Sequence, residues 1–506
     1  MKKTALSIIT LISFAAAMNA KDVVVKPTSD TRASINVSHD DSDTLIMNSS
    51  LFDKYGSGTV SNNPTYAAVR VINGESAGNA SIAVGALTID ANSSVANYNA
   101  LSADTWAMNY YTLTFRNTNA SAASVNVNLN TLTLASTATG SVTQYQYINF
   151  KDTTYNLSAT TVNLGNTGKN YKQNTSTFTV DSGATVNWTG SNFYVQQNGI
   201  ININGTLTLT GQFTLAQEGA TINVSDGATF NATETSAAKF TMNAGTTMNV
   251  GTNSTVYFTN GSTSYLNGTI NTASAMAFRK INTSTGTFTQ TAGGVTFYRP
   301  ATMNSGANWT VYDKVTLMGG DTTEARTAAL TINDGVTFKI SGTKPRIIFQ
   351  GHSDLVLNKS DAVLDPSGNP IALITYSDTS NNKMHVNADQ TFDRLLVNNS
   401  DLSMYLGSGA VIRFDPETYA SFSANTAYLK IFNFAEDSVY FKYTESVAAT
   451  VNNYVKLYGD DTEGSFLGMG ILGTDGWVTL TIPEPSTWAA LLGAIVLGFA
   501  IYRRRK

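Results

Sequence analysis

Apolar and polar residues alternate with a period of two along most of this chain. Clear examples are residues 125–134, 205–209 and 220–224, where Val, Leu or Ile alternates with Thr or Asn. Such alternation predicts half-buried β-strands, and Thr, Val, Ile and aromatic residues favour that conformation. Gly, Asn, Asp and Ser interrupt the pattern every few residues, as turns do. The pattern predicts an all-β body of many short strands.

A turn-and-strand repeat with the pattern apolar-x-x-Gly-small-x-apolar-x-apolar recurs along the body. It fits residues 180–188, 195–203, 242–250, 303–311, 332–340 and 406–414, and more loosely 215–224 and 224–230. Repetition on this scale predicts a solenoid, and coils made only of strands predict a right-handed parallel β-helix. We expect Thr and Asn to stack between coils and the repeated Gly to supply positive φ at a corner. The alternatives are an array of β-sandwiches, or a low-complexity sequence rich in Thr and Asn whose apparent repeat does not reflect a solenoid.

The repeat defines the expected organisation of the body. Residues 21–100 are expected to form an irregular N-terminal β segment or cap, and residues 101–360 the β-solenoid repeats. The repeat thins over residues 361–480, which we interpret as a C-terminal β region that caps the solenoid. Within it, residues 438–443 and 451–457 resemble antiparallel strands, and residues 475–480 a turn and final strand. The repeat also resembles the strand repeats of autotransporter passenger regions.

The first twenty residues have the pattern of a secretory signal peptide. Lys2 and Lys3 precede an apolar stretch over residues 5–17, and small residues follow. Cleavage is compatible with the bond after Ala17 or the bond after Ala20, and a retained N-terminal anchor is the alternative. The segment predicts export, with signal peptidase and the secretion machinery as partners.

Residues 481–506 contain three elements in order: a Pro-Glu-Pro motif, an uncharged stretch with an aromatic residue at each end, and a basic cluster. Their residues are Pro483, Glu484 and Pro485; Trp488 and Tyr502; and Arg503, Arg504, Arg505 and Lys506. As a helix the uncharged stretch spans about 22 Å, and Arg503 can reach the interface with its long side chain. We therefore predict one C-terminal transmembrane helix, with the basic cluster in the cytoplasm and the motif outside. The prolines keep the motif extended.

This tail resembles the PEP-CTERM sorting signal of exported bacterial proteins. The resemblance covers only residues 482–506 and implies a substrate of an exosortase-like membrane protease that acts at or near Pro483-Glu484-Pro485. It also links the protein to exopolysaccharide and the biofilm matrix. An ordinary membrane anchor, in which the prolines merely end the helix, is the alternative.

Composition limits the chemistry. The chain has 506 residues and no cysteine, so disulfides and thiolate sites are excluded. Charged residues make up 13%, about half the usual share. The formal net charge is −4, and loss of the basic terminal segments makes the body more acidic, which argues against nucleic acid as a partner.

No catalytic, cofactor-binding or metal-binding residue is predicted. His39, His352 and His385 lie far apart in the sequence, and no nucleophile elbow, zinc motif or phosphate loop accompanies them. The acidic runs 40–43 and 460–463 lack calcium-loop spacing and are interpreted as solvated turns. Gly351-His352 is followed by Ser353, so a pectin-hydrolase-like pattern does not assemble.

These observations predict an exported, non-enzymatic structural protein of the cell surface, outer envelope or extracellular matrix. Two alternatives remain open. One is a polysaccharide-active β-helix enzyme, which a cleft with two carboxylates, or with carboxylates and Arg or Lys, would support. The other is a permanently anchored adhesin whose tail is never cut.

Overall fold

The computed structural model describes residues 175–480, except 234–239, 260–262, 321–326, 377–380, 399, 416–419 and 423–426, together with ten strands that precede residue 175. The predicted signal peptide and residues 481–506 lie outside the described residues. The first ten strands are β1 (Asp22–Val24), β2 (Ile35–Val37), β3 (Thr44–Ile46), β4 (Tyr66–Ile72), β5 (Ala80–Val84), β6 (Leu87–Asp90), β7 (Tyr110–Arg116), β8 (Val125–Ala135), β9 (Tyr145–Lys151) and β10 (Thr154–Leu164).

The strands that follow are short and closely spaced, as the frequent turn residues predict. The next seventeen are β11 (Thr175–Val180), β12 (Thr185–Val195), β13 (Gly199–Ile203), β14 (Thr206–Leu215), β15 (Thr221–Val224), β16 (Thr229–Thr233), β17 (Phe240–Met242), β18 (Thr247–Val250), β19 (Thr255–Thr259), β20 (Ser264–Leu266), β21 (Thr269–Thr272), β22 (Met276–Phe278), β23 (Ile281–Thr283), β24 (Thr287–Gln290), β25 (Val295–Phe297), β26 (Ala301–Met303) and β27 (Asn308–Met318).

The last part of the described chain adds the two helices that the structure describes. Its elements are β28 (Ala328–Ile332), β29 (Thr337–Gln350), β30 (Ser353–Leu357), β31 (Ala372–Tyr376), β32 (Asn382–Val386), β33 (Gln390–Phe392), β34 (Arg394–Asn398), β35 (Leu402–Leu406), β36 (Ile412–Phe414), β37 (Ala420–Phe422), β38 (Leu429–Phe432), β39 (Val439–Phe441), α1 (Glu445–Tyr454), β40 (Val455–Tyr458), a 3₁₀ helix (Glu463–Ser465), β41 (Phe466–Leu472) and β42 (Val478–Leu480).

The strands pair in parallel between successive coils, which confirms the predicted β-helix. In the middle of the chain each coil has three strands: β18 pairs with β15, β19 with β16 and β20 with β17. Thr221, Thr247, Thr269 and Thr287 are register partners, so successive coils take 26, 22 and 18 residues. Corners of different length absorb this variation while the strands stay in register.

The alternation seen in the sequence places apolar side chains inside and polar ones outside. In β15 and β18, for instance, the second and fourth residues are buried and the others are half-buried. A column of phenylalanines runs through the interior, with neighbouring ring centroids 4.6–5.8 Å apart. Its members are Phe178, Phe193, Phe213, Phe240, Phe258, Phe278 and Phe297.

The repeated glycine adopts the expected backbone at the corners. Positive φ occurs at Gly183, Gly219, Gly227, Gly245, Gly306, Gly335 and Gly409. Residues 195–203 depart from this, because Gly199 begins a strand and the positive φ of 59° falls on Asn198. Asn253 occupies the same kind of corner with φ of 55°. Asparagine tolerates this conformation better than other side chains, so it replaces glycine there.

Asparagines stack between coils, as the sequence predicts. Asn223 Nδ2 donates to Asn202 Oδ1 at 2.9 Å, Asn249 Nδ2 to Asn223 Oδ1 at 2.9 Å, and Asn271 Nδ2 to Asn249 Oδ1 at 3.0 Å. We call these four residues the asparagine ladder. A second series joins corner asparagines, with Asn387 donating to Asn358 and Asn358 to Asn333, both at 2.7 Å. Within each series, an inner amide donates to the preceding coil and accepts from the following one.

Parallel stacking continues beyond residue 360 into the predicted C-terminal β region. Our expectation of an antiparallel strand at residues 438–443 is wrong, because β39 pairs in parallel with β36. Its inward Phe441 packs on Phe414 with ring centroids 4.7 Å apart, which continues the core of the coil below. Among the described residues, antiparallel pairing joins β41 to β40 and β42, and Tyr440 of β39 also forms an isolated antiparallel bridge with Trp477.

Helix α1 was not expected, because residues 451–457 were predicted to be a strand. Thr444 Oγ1 caps its first turn by accepting from the N–H of Val447 at 3.1 Å. Val447 and Val451, four residues apart, are buried on the inner face of the helix. The strand β40 begins only at Val455. The predicted final strand is present as β42.

Among the described residues, no helix is both long enough and apolar enough to cross a membrane. The predicted transmembrane segment, residues 488–502, lies outside the described part of the chain.

Candidate functional site

The outward side chains of five stacked strands near the C-terminus form two columns. Register pairing aligns the strands β30, β32, β35, β38 and β40. Because side chains alternate across a strand, two outward positions recur in each coil. The charged column consists of Asp354, Lys383, Ser403, Lys430 and Lys456, and the aromatic column consists of His385, Tyr405, Phe432 and Tyr458.

The aromatic column is a continuous stack. Ring centroids lie 4.8 Å apart between His385 and Tyr405, 4.6 Å between Tyr405 and Phe432, and 4.5 Å between Phe432 and Tyr458. The planes of neighbouring rings differ by only 12–16°, so each ring covers the face of the next. Phe432 and Tyr458 are buried, at 2% and 5% exposed, so the stack offers no open ring faces to the surface. Burial, followed by the nearby Asp461 carboxylate, raises the pKa of the Tyr405 phenol.

Lys430 is the centre of an ion triad in the charged column. Its Nζ lies 2.9 Å from Asp401 Oδ2 and 2.7 Å from Glu463 Oε1. Burial opposes the charge on Lys430, but the hydrogen bonds to Glu463 and Asp401 outweigh it and raise the pKa of Lys430 above its ordinary value. The lysine therefore stays protonated and acts as a fixed cation.

Of the two histidines among the described residues, His385 lies close to a carboxylate. Asp354 Oδ1 is 3.6 Å from His385 Nε2, and Asp354 is two residues from His352 in the chain. Burial raises the pKa of Asp354, and His385 and Lys383 oppose that effect. The Nδ1 atom of His352 is buried and has no hydrogen-bond partner among the described residues.

A groove of about 470 Å³ follows the two columns. We call it the C-terminal groove. Its lining residues on strands come from three neighbouring strands, β32, β35 and β38, which span about 10 Å along the β-helix axis at the usual strand spacing. Its lining residues come from the strands and from the loops beside them: His352, Asn381, Lys383, Asp401, Ser403, Tyr405, Lys430, Phe432, Asp461 and Glu463.

The groove combines hydrogen-bond acceptors with donors. Asp401, Asp461 and Glu463 supply carboxylates, and Asn433 Nδ2 holds Asp461 by donating to its Oδ1 at 2.7 Å. Lys383, Ser403 and Tyr405 can donate. No group of three or more metal-ligating side chains suited to a metal ion occurs among the described residues. The arrangement fits binding of a polar ligand, and the raised pKa of Lys430 makes that lysine a poor general base.

Some of the residues predicted from the sequence lie outside the described part of the chain, and others lie in or beside the groove. All the sorting-tail residues, Pro483, Glu484, Pro485, Trp488, Tyr502, Arg503, Arg504, Arg505 and Lys506, lie outside the described residues, as do His39 and the acidic run 40–43. The run 460–463 divides in two. Asp460 Oδ1 accepts from the backbone N–H of Thr462 at 2.8 Å and forms a solvated turn, as expected, whereas Asp461 and Glu463 line the groove.

The sequence contains a signal for the groove that was not among the predictions. The pairs Lys383 with His385, Lys430 with Phe432 and Lys456 with Tyr458 repeat one pattern, a lysine two residues before a ring. Ser403 and Tyr405 keep the spacing with serine in place of lysine. Because one residue separates the members of each pair, both face the same side of the strand. The pattern marks a shared outward surface in a region where the glycine repeat thins.

Comparison with known proteins identifies no relative: no protein-family model, no curated protein and no solved structure matches this chain.

Proposed function

We propose that this protein is an exported, non-enzymatic structural protein of the cell surface or extracellular matrix. The single observation that carries the proposal is the order of elements at the C-terminus: Pro483-Glu484-Pro485, an uncharged stretch from Trp488 to Tyr502, and a basic end. The N-terminal signal-peptide pattern supports export independently. A long β-helix supports a structural role, because stacked coils make a rigid rod with an extended surface.

The proposal also includes the handedness of the β-helix, its C-terminal cap and its membrane segment. The β-helix is right-handed, as crossover connections between parallel strands nearly always are. The helix α1 and the antiparallel strands β41 and β42 cap its C-terminal end and cover coils that would otherwise expose unpaired backbone. Residues 488–502 form the transmembrane helix that holds the protein until an exosortase-like protease acts.

The test is mass spectrometry of the mature C-terminus from surface and membrane fractions of the producing cells. We expect a C-terminus between residues 483 and 486, with the apolar stretch missing. Replacement of the motif, as in Glu484→Gln with Pro485→Ala, should retain the chain up to Lys506. The matched control Thr487→Ser, just beyond the motif, should be processed normally. An unaltered protein that still ends at Lys506 would contradict sorting and leave the permanently anchored adhesin.

A polysaccharide-active enzyme is the second candidate, and the C-terminal groove is the observation that favours it. The groove gathers Asp401, Asp461 and Glu463 with two lysines, which meets the criterion set for that alternative. The ion triad argues against it, because Lys430 is clamped between two carboxylates instead of being poised to accept a proton. Incubation of the purified protein with acidic and neutral polysaccharides, followed by an assay for new chain ends, separates the candidates. New ends that Asp401→Asn abolishes would overturn the non-enzymatic proposal.

A further inference from the structure

We propose that the C-terminal end of the β-helix rests on the membrane surface through an apolar pair, Phe466 and Leu467, at the start of β41. The contact rests on the proposed function, in which residues 488–502 cross the membrane, and it adds a second contact with lipid. Phe466 is 49% exposed and Leu467 is 48% exposed. The other large apolar side chains that are exposed among the described residues are all tyrosines, whose hydroxyl groups can stay in water. The apolar pair therefore gains most from leaving water.

A β-bulge causes the exposure of the apolar pair. Register pairing with β40 joins Gly468 to Leu457 and Phe466 to Tyr458, so Leu467 between them has no register partner on that strand. Such a bulge interrupts the regular alternation and redirects a side chain. Two consecutive side chains are therefore exposed, whereas in a regular strand they would face opposite sides. The ring centroids of Phe466 and Tyr458 lie 5.4 Å apart, so packing against the aromatic column positions one member of the pair.

The apolar pair lies at the end of the hairpin toward which the chain leaves the cap. The strand β42 is antiparallel to β41, and Leu480 at its end pairs with Gly470. The chain therefore leaves β42 in the direction of the Phe466 end of β41. Only seven residues, 481–487, separate Leu480 from Trp488, so these two Cα atoms are at most about 29 Å apart. A membrane that the chain enters at Trp488 is thus within reach of the bulge.

The charges beside the bulge indicate which kind of lipid surface fits. Asp460, Asp461 and Glu463 precede the apolar pair, and all three are exposed. These carboxylates repel anionic headgroups, so the contact suits the boundary between zwitterionic headgroups and acyl chains. Two half-exposed side chains bury too little apolar area to hold a protein on a membrane by themselves. The contact therefore depends on the membrane segment, which keeps the bulge close to the lipid, and is lost when that segment is removed.

The test uses the full-length protein reconstituted in phosphatidylcholine vesicles. The chain has no cysteine, so Gly464→Cys provides a single attachment point for a fluorescent dye beside the bulge. A Cβ at Gly464 has only Thr462 Oγ1 within 4 Å, at 3.8 Å, so the substitution fits. We expect brominated phosphatidylcholine to quench this dye. Phe466→Ser combined with Leu467→Ser should abolish the quenching, whereas Tyr257→Ser, which removes a 46% exposed ring from the middle coils, should leave it unchanged. Circular dichroism checks that each variant retains the fold.

Flotation of the same vesicles separates this contact from the proposed function. Protein that does not float with the vesicles is not held by residues 488–502, and both proposals are then wrong. Protein that floats without quenching, or that is quenched equally in the double serine variant, overturns only the contact of the apolar pair. A dimer in detergent that the double serine substitution dissociates would reassign the pair to a second copy of this chain.

Discussion

Two stretches of the same β-helix differ most clearly in their outward side chains. The middle coils, residues 199–272, and the C-terminal coils, residues 353–458, share parallel pairing and a buried apolar interior. Outward positions of the middle coils carry the uncharged asparagine ladder. Those of the C-terminal coils carry the charged and aromatic columns. The difference teaches that inward positions maintain the coil, whereas outward positions are free to vary in charge and ring content.

The largest expected effect tests whether the buried cores of the middle coils and of the C-terminal coils contribute equally to stability. Phe240 and Phe414 are both buried, one in each region of the helix. Phe240→Ala and Phe414→Ala should each lower the local free energy of opening by about 3–5 kcal/mol, because each leaves a cavity. Hydrogen-exchange mass spectrometry measures this coil by coil, which suits a solenoid that need not unfold in one step.

The matched control is Tyr257→Ala, because the side chain of Tyr257 is 46% exposed. Its effect should stay within about 0.5 kcal/mol. A loss below about 1 kcal/mol for either phenylalanine would contradict the idea of a shared interior.

The second prediction concerns the ion triad, which has no counterpart in the asparagine ladder. Lys430→Met should destabilise the C-terminal coils by about 1–2 kcal/mol, because Asp401 and Glu463 lose their cation. The effect is smaller than for a fully buried pair, since the side chain of Glu463 is 69% exposed and solvent screens it.

This contribution should depend on pH in a defined direction. The folded-state pKa of Lys430 lies above its ordinary value, so the stabilisation is complete below the pKa of an unfolded lysine, about 10.4. It is lost as pH rises through the still higher pKa of the folded state. The difference in opening free energy between the unaltered protein and Lys430→Met should thus be constant from neutral pH to about pH 9 and shrink above about 10.4. A difference that grows with alkaline pH would contradict the triad.

The third prediction concerns the asparagine ladder. Asn249→Ala removes one hydrogen bond to Asn223 and one from Asn271, and should cost about 1–2 kcal/mol in the middle coils. Unlike the effect of Lys430→Met, this loss should not vary with pH, because amides do not titrate. Thr247→Ala, an outward position of the same strand outside the ladder, is the control and should change stability less. Equal effects of the two variants would show that the ladder adds nothing.

Much of the fold could be predicted because its signal is local. Alternation within each strand and a glycine at many corners are visible over nine residues, as in residues 242–250. Helix α1 was missed because only Val447 and Val451 are buried among its ten residues, which is too little periodicity to detect in the sequence. The orientation of β39 was missed because strand direction is set by the coil below.

The groove could not be predicted because it depends on which coils become neighbours. His352, Lys383 and Asp461 come together only after coils of unequal length are stacked in register. The lengths of the corners are not encoded in a repeated sequence, so the partners of an outward residue are not visible in advance. The spacing of two residues between a lysine and a ring was the one local sequence signal for the groove.

The smallest expected effect tests whether the corners of the two regions obey the same rule. Gly227 and Gly409 have φ of 72° and 74°, and a Cβ at either position would meet no atom within 4 Å. Substitution by alanine therefore introduces backbone strain without a clash. Gly227→Ala and Gly409→Ala should each cost about 1 kcal/mol. Asn253→Gly, at a corner of the same conformation, should cost nothing or stabilise slightly. Hydrogen exchange at the three corners measures the change in opening free energy for each of the three variants. Clearly unequal costs for the two alanine variants would mean that the regions differ in their corners as well as on their surfaces, whereas equal costs confine the difference to the outward side chains.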